Sequence, residues 1–240
     1  MTTDAATEPL PRSVLEALGR YDTPTICNAL ELVVPERRLT GYTIRPLVCP
    51  FPDLPPIVGY ARTATIRATT ASGRKAEDDK KLRLAYYDYV GSGPAPRISV
   101  IQDLDGEQAG YGAFWGEVHS AVHKALGCLG VVTDGSIRDI PQWADGFQAL
   151  AGIIGPSHAH VHLAGFGEVV RVAGMAVRSG DLVHADRHGA VVIPVDVAAR
   201  VPDAADLCAR REEPILAVAR SKDFSLARLR EAIARSGDIH

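Results

Sequence analysis

The stretch from Gly112 to Trp143, GAFWGEVHSAVHKALGCLGVVTDGSIRDIPQW, limits the folds open to this chain more than any other part of it. Val118, Ala121, Val122, Ala125 and Leu126 recur at i, i+3, i+4, i+7 and i+8. That spacing predicts a helix with these residues on its buried face. Gly116 stands before the helix, and Gly127 is placed to cap its C-terminus. Leu129–Thr133, LGVVT, then reads as a short buried strand closed by an Asp134-Gly135 turn. A helix delivering the chain into a buried strand is compatible with an α/β fold.

The same stretch carries chemistry. Glu117 falls in the first helical turn, where the helix dipole favours an anion. The first N–H groups of a helix have no partner inside it, so those of Val118 and His119 are available to a carboxylate. Arg138 and Asp139 follow the turn after the strand. Such an Arg can grip a carboxylate or stabilise an enolate oxygen, and such an Asp can hold a hard divalent cation. The plainer account is a surface ion pair after a tight turn.

Signals continue on both sides. Residues 1–12 read as a flexible lead, SVLEALGRY at 13–21 has helical spacing, and Thr23-Pro24 opens a second short helix. Residues 40–58 are rich in Pro and Gly and read as irregular, whereas 59–69 read as a strand. The charges from Arg74 to Arg83 suit a solvated helix face, 91–96 a loop, and 97–103 a second strand. Short strands are expected at 149–154, 167–172 and 190–194. From about Val195 two helical patterns follow, the first interrupted at prolines, the second running over Asp223–Arg235 with Asp223 as its cap. No repeat or linker divides the chain, so one domain over 1–240 is expected.

Charge narrows the function classes. Lys and Arg number 26 against 29 Asp and Glu, a net charge of −3. A nucleic-acid partner would call for a basic stripe, and none is visible. No apolar run approaches the roughly 18–20 residues of a membrane span. The N-terminal MTTDAATEPLPRS lacks signal-peptide character, and Cys27, Cys49, Cys128 and Cys208 show neither CxxC nor disulfide spacing. A cytoplasmic protein with buried free thiols is expected.

An acid after Gly116, twenty intervening residues and then Arg138-Asp139, with GVVTDGSIRD between, resembles the RraA-like family, which includes class II 4-hydroxy-4-methyl-2-oxoglutarate aldolases, oxaloacetate decarboxylases and regulators of RNase E. The resemblance extends to residues 25–30, where Asn28 replaces the usual Asp, to Val58–Thr63, and to Val177–Pro194. It spans roughly residues 20–195, leaving 196–240 as a helical C-terminal extension. It implies a swivelling-domain-like β/β/α sandwich around a central mixed sheet, with helical extensions at both ends. It also implies a homotrimer or dimer of trimers with the active site between subunits. Carried over by position, Asp139 would bind Mg²⁺ or Mn²⁺ largely through waters, and Glu117 would hold metal-bound water. Arg138 would contact a 2-oxo acid and neutralise its enolate. The backbone at Gly116, Val118 and His119 would bind the pyruvyl carboxylate. The implied activity is carbon–carbon cleavage of a 2-oxo acid, with a non-catalytic ribonuclease-binding role as the alternative. Methyl transfer is set aside, because no glycine-rich strand–loop–helix of the kind that binds S-adenosylmethionine lies near the N-terminus.

Other residues admit two accounts. His158, His160 and His162 have strand period and would face one side, as a metal site or as hydrogen-bonding residues of an edge strand. One of them, or His188, could instead line the active-site cleft. His184 and His188 flank Asp186 in a segment that otherwise reads as a structural turn. Tyr86, Tyr87 and Tyr89 suit a subunit contact or the protein's own core. Lys75, Lys80, Lys81, Lys124 and Lys222 look solvated, so no Schiff-base lysine is expected.

Overall fold

In the computed structural model, which describes residues 9–239, strand β1 (Ile57–Arg67) is the spine of the molecule. Ten of its eleven residues are buried, so it has no solvent face. Its residues 60–66 pair in parallel with the whole of β2 (Arg97–Asp103). On its other side the first half pairs antiparallel with β11 (Leu182–Asp186), the second half with β8 (His162–Phe166). The sheet continues in parallel through β4 (Cys128–Thr133) and β6 (Gln148–Leu150), and ends on the other edge at β12 (Gly189–Ile193), giving the order β12-β11-β1-β2-β4-β6 with β8 beside β1.

Side-chain alternation divides the sheet into two covered faces. Val58 and Tyr60 pack with Leu182, Val191 and Ile193 under α1 (Arg12–Leu18), α2 (Thr23–Val33) and α5 (Val201–Ala219). Ile57 and Ala61 point the other way, joining Ile98, Val100 and Val132 under a hairpin of β9 (Val170–Val172) and β10 (Met175–Val177). Further along the helical side, Ala64, Ile66 and Ile101 pack with Tyr86 and Val90 of α3 (Ala76–Gly91). The result is the expected mixed α/β architecture, a curled mixed sheet with helices at both ends of the chain.

A second sheet of very short parallel strands positions the candidate site: β3 (Ala113–Trp115), β5 (Ser136–Ile137) and β7 (Ile153–Ile154). Helix α4 (Glu117–Ala125) and β4 lie between β3 and β5 in the chain.

Several expectations are corrected. The apolar face of α4 is not buried: Val118 is 66% exposed, Ala121 and Ala125 are exposed, and Val122 and Leu126 are half-buried. Ser120 and His123 face inward instead. They can do so because α3 and β3 supply an aromatic bed with hydrogen-bond partners, described below. Residues 158–161 form a turn rather than a strand, with Ala159 at φ 45°, and only His162 enters a strand. The Ser157 hydroxyl accepts the Ala159 N–H at 3.0 Å and stabilises this turn. The strand expected at 149–154 is split between two sheets, and that at 167–172 shrinks to β9. Helix α5 runs on through Pro214, since packing against α2 and α6 (Leu226–Gly237) outweighs one lost hydrogen bond. The cap of α6 is Ser225, whose Oγ accepts the Arg228 N–H at 3.3 Å; Asp223 pairs with the Arg228 guanidinium instead. Of the expected flexible lead, residues 1–8 lie outside the described residues, and Arg12 already belongs to α1.

Candidate active site

Two neighbouring parallel strands end side by side. Ala113 is opposite Ser136, Trp115 is opposite Ile137, and the Arg138 N–H donates to the Trp115 carbonyl at 3.0 Å. The residues that follow, Gly116-Glu117 on one strand and Arg138-Asp139 on the other, therefore meet at the carboxyl ends of the strands, where open α/β sheets place their ligand crevices.

Gly116 is the N-cap of α4, and its Cα faces Asp139. A β-carbon there would stand 2.5 Å from Asp139 Oδ2, so the contact needs a residue without a side chain. The same Oδ2 lies 3.4 Å from the Glu117 N–H and 3.5 Å from Arg138 Nε. Asp139 holds φ 55° and ψ 40°, a left-handed conformation that Asp tolerates better than most residues and that aims its carboxylate back over the helix end. The Arg138 and Asp139 side chains are 35% and 38% exposed, so both remain open to a ligand. Glu117 is exposed.

The hydrogen-bond ladder of α4 begins with the Ser120 N–H donating to the Gly116 carbonyl at 3.0 Å. Among the described residues, the Val118 and His119 N–H groups find no acceptor. The Ser120 hydroxyl donates to the Glu117 carbonyl at 2.9 Å and accepts the Ala144 N–H at 3.1 Å, fastening the first turn of the helix to the segment after Asp139.

Beneath the helix end lie two imidazoles. His119 packs 4.3 Å from the Phe114 ring, centroid to centroid, and its buried Nε2 has no partner. Burial, with Arg83 nearby, pushes its pKa down to about 4. His119 therefore presents its backbone, not its ring, to the crevice. His123 is fully buried against Trp115 at 4.4 Å and Tyr86 at 5.5 Å. Burial brings its pKa down to about 3. Its Nδ1 lies 2.7 Å from the His119 carbonyl, which can only accept, so Nδ1 carries the proton and Nε2 accepts the Tyr86 hydroxyl at 2.8 Å. Tyr86 is thus a core residue, and the half-buried Tyr89 is tied by its hydroxyl to Thr63 and Ser179 of its own chain.

Other candidates lie elsewhere. Among the described residues no three His, Cys, Asp or Glu side chains gather in a metal-binding cluster, which removes the three-histidine site. His158 and His162 turn their Nδ1 atoms to carbonyls of their own turn, of Ala159 and His160. His188 sits at the β11–β12 turn, its N–H donating to Asp186 Oδ1 at 2.8 Å. His184 donates from Nε2 to the Tyr21 carbonyl and accepts the Thr23 hydroxyl at Nδ1, both at 3.0 Å. This closing segment braces α2 rather than the crevice. The four cysteines are free thiols, and all five lysines named above are exposed. Sequence reasoning missed the brace from Trp115 and Ser120, because a backbone carbonyl and a helix-facing serine leave no motif.

The Asp139 carboxylate, 38% exposed, offers hard oxygens of the kind that bind Mg²⁺ or Mn²⁺, and the exposed Glu117 opens the helix beside it. Among the described residues no helix is long and apolar enough to cross a membrane.

Comparison with known proteins identifies the fold and the family. None of the curated proteins compared with the chain matches it. An uncharacterized protein from Pseudomonas syringae pv. tomato superposes with a TM-score of 0.72 at 22% identity, covering 96% of each chain. RraAS2 of Streptomyces coelicolor, an unusual member of the RNase ES inhibitor RraA family, superposes with a TM-score of 0.66 at 25% identity, over 86% of this chain and 97% of its own. A protein from gut-associated microbes described as a novel cellulase gives 0.70 at 16% identity, over 87% and 90%. Three such different descriptions on one fold show that the fold does not name the activity. The family model for Aldolase/RraA matches residues 23–192, which include every residue of the crevice, and the chain belongs to the RraA-like family.

Proposed function

We propose that the chain is a divalent-metal-dependent lyase that cleaves a carbon–carbon bond of a 2-oxo acid, as an aldolase or an oxaloacetate-type decarboxylase. The observation that carries this reading is the placement of Arg138 and Asp139 at the end of a helix that begins with Glu117 and carries two unpartnered N–H groups. The N–H groups of Val118 and His119 bind the substrate carboxylate. That places the 2-oxo group beside Arg138. When the bond to C3 breaks, its electron pair moves onto the 2-oxo oxygen as a pyruvate enolate, and the Arg138 guanidinium stabilises that charge. Asp139 would hold Mg²⁺ or Mn²⁺, and Glu117 would hold water in that ion's shell. The cation, when bound, supplies Lewis-acid stabilisation of the same developing negative charge. Water held by Glu117 would take the C4 hydroxyl proton in an aldol cleavage and, in either reaction, deliver a proton to C3 of the enolate to complete pyruvate. We further propose that the chain acts in the cytoplasm as one domain.

The test is pyruvate release from 4-hydroxy-4-methyl-2-oxoglutarate and from oxaloacetate, with and without EDTA. Activity is expected to vanish on chelation, return with Mg²⁺ or Mn²⁺, and fall at least 100-fold in Asp139→Ala. Release unaffected by both EDTA and Asp139→Ala would sink the mechanism. The likeness to an RNase ES inhibitor favours a second reading, ribonuclease binding without chemistry. Stoichiometric capture of a ribonuclease by a chain that releases no pyruvate would select it.

A further inference from the structure

A cleft of about 1050 Å³ lies elsewhere on the chain and shares no residue with the crevice. Four arginines line it, Arg37, Arg62, Arg171 and Arg178, against a single carboxylate, Asp181. Asp181 Oδ2 accepts the Arg178 N–H at 2.7 Å and is engaged in its own turn. Among the described residues none of the four arginines forms an ion pair.

Arg62 is the anomaly. It is only 7% exposed, on the most central strand of the sheet, and its Nε has no hydrogen-bond partner. Its guanidinium reaches the Ser92 carbonyl and lies 5.0 Å from the Tyr89 ring centroid, both uncharged. Arg37 repeats the pattern: Nη2 donates to the Val192 carbonyl at 3.0 Å, and its buried Nε is unpartnered. Each guanidinium packs over a glycine of positive φ, Gly93 and Gly41, where any side chain would collide with it. A guanidinium removed from water needs a counter-charge, and here the chain supplies none. Arg171 and Arg178, from the β9–β10 hairpin, are exposed at the mouth. Planar guanidinium groups match the oxygen pairs of phosphates and carboxylates.

We propose that this cleft is a binding site for a small, multiply charged anion carrying phosphate or carboxylate groups. Arg62 and Arg37 form its floor, and Arg171 and Arg178 close over the ligand.

Calorimetric titration of the full chain at fixed ionic strength, with pyrophosphate in one arm and citrate in the other, tests it. Saturable binding near one per chain is expected in at least one arm, and the tighter arm separates a phosphate ligand from a polycarboxylate. Arg171→Ala and Arg178→Ala, both exposed and away from the core, are expected to weaken binding at least tenfold each with unchanged circular dichroism. Arg62→Gln is expected to do the same if it folds. Asp139→Ala is expected to bind as the parent does. Absence of saturable binding in both arms, or unchanged affinity in both exposed-arginine variants, overturns the proposal. A changed assembly mass in those variants, with neither probe binding, would assign the cleft to a second copy and overturn it as well.

Discussion

At Gly116 the backbone is extended, with φ −163° and ψ −162°, so conformation alone would admit any residue. Space is what requires glycine. Gly116→Ala sets a methyl group 2.5 Å from Asp139 Oδ2 and must push that carboxylate off the helix end. The expected outcome is a 10- to 100-fold loss of divalent-cation affinity, read by calorimetry with Mn²⁺, while the melting temperature changes by only a few degrees. An unaltered affinity would show that Asp139 is not the ligand. Asp186 offers a second test of a single side chain. It is buried, and burial alone would raise its pKa, but the N–H groups of Thr23 and His188 pull it below the usual carboxylate range. Asp186→Ala leaves both donors without their acceptor and is expected to cost about 3 kcal/mol in urea denaturation.

Among the elements, α4 shows where sequence periodicity misleads. Hydropathy assigns the valine and alanine stripe to the interior, but the helix buries Ser120 and His123 because each polar atom there has a partner. Patterning counts side-chain polarity, not partners. The pKa directions give a test. His119 and His123 are lowered to about 4 and about 3, below the ordinary histidine value. As pH falls below about 6.5 the unfolded chain takes up protons that the folded chain refuses, so these residues destabilise the fold progressively, His119 down to about pH 4 and His123 down to about pH 3. The melting temperature is expected to decline over that window, and His123→Gln, which cannot titrate, is expected to show a shallower decline. Strands β1, β2, β4 and β12 were legible in the sequence, since each is a run of small or β-branched residues long enough to be read alone. The strands that build the crevice were not. Two or three residues, as in β3, β5 and β7, carry no period, and they exist as strands only through their neighbours. The candidate site residues were singled out nonetheless, through the acid, twenty-residue interval and Arg-Asp spacing that resembles the RraA-like family, since Arg-Asp alone is common. The turn at 158–161 shows the converse: alternating histidines suggested a strand until Ala159 took positive φ.

For the whole molecule, the outward stripe of α4 bears on assembly. Val118 is 66% exposed beside the crevice, left uncovered by the described residues. We propose that a second copy covers it in a trimer, as the family resemblance implies, so that the crevice lies at a subunit boundary. Light scattering is expected to give the mass of three 25.6 kDa chains or a multiple of it, and Val118→Asp to shift the protein toward monomer with loss of activity. A monomeric wild-type protein would contradict this. The net charge of −3 excludes a polyanion-binding surface only on average. The four-arginine cleft concentrates positive charge where a global count cannot register it.

The register between β3 and β5 has a consequence for how such a chain can vary in length. Twenty residues separate Glu117 from Arg138, and they are consumed by one helix, two strands and two turns. This interval acts as a ruler. One extra residue inside α4 would rotate the following chain by about 100°. One extra residue inside β4 would turn every later side chain to the opposite face. Either change carries Arg138 and Asp139 away from the helix end even though every chemically active residue is still present. The length of the span from Ala113 in β3 to Ala144, which is tied to Ser120, is therefore fixed by register and packing.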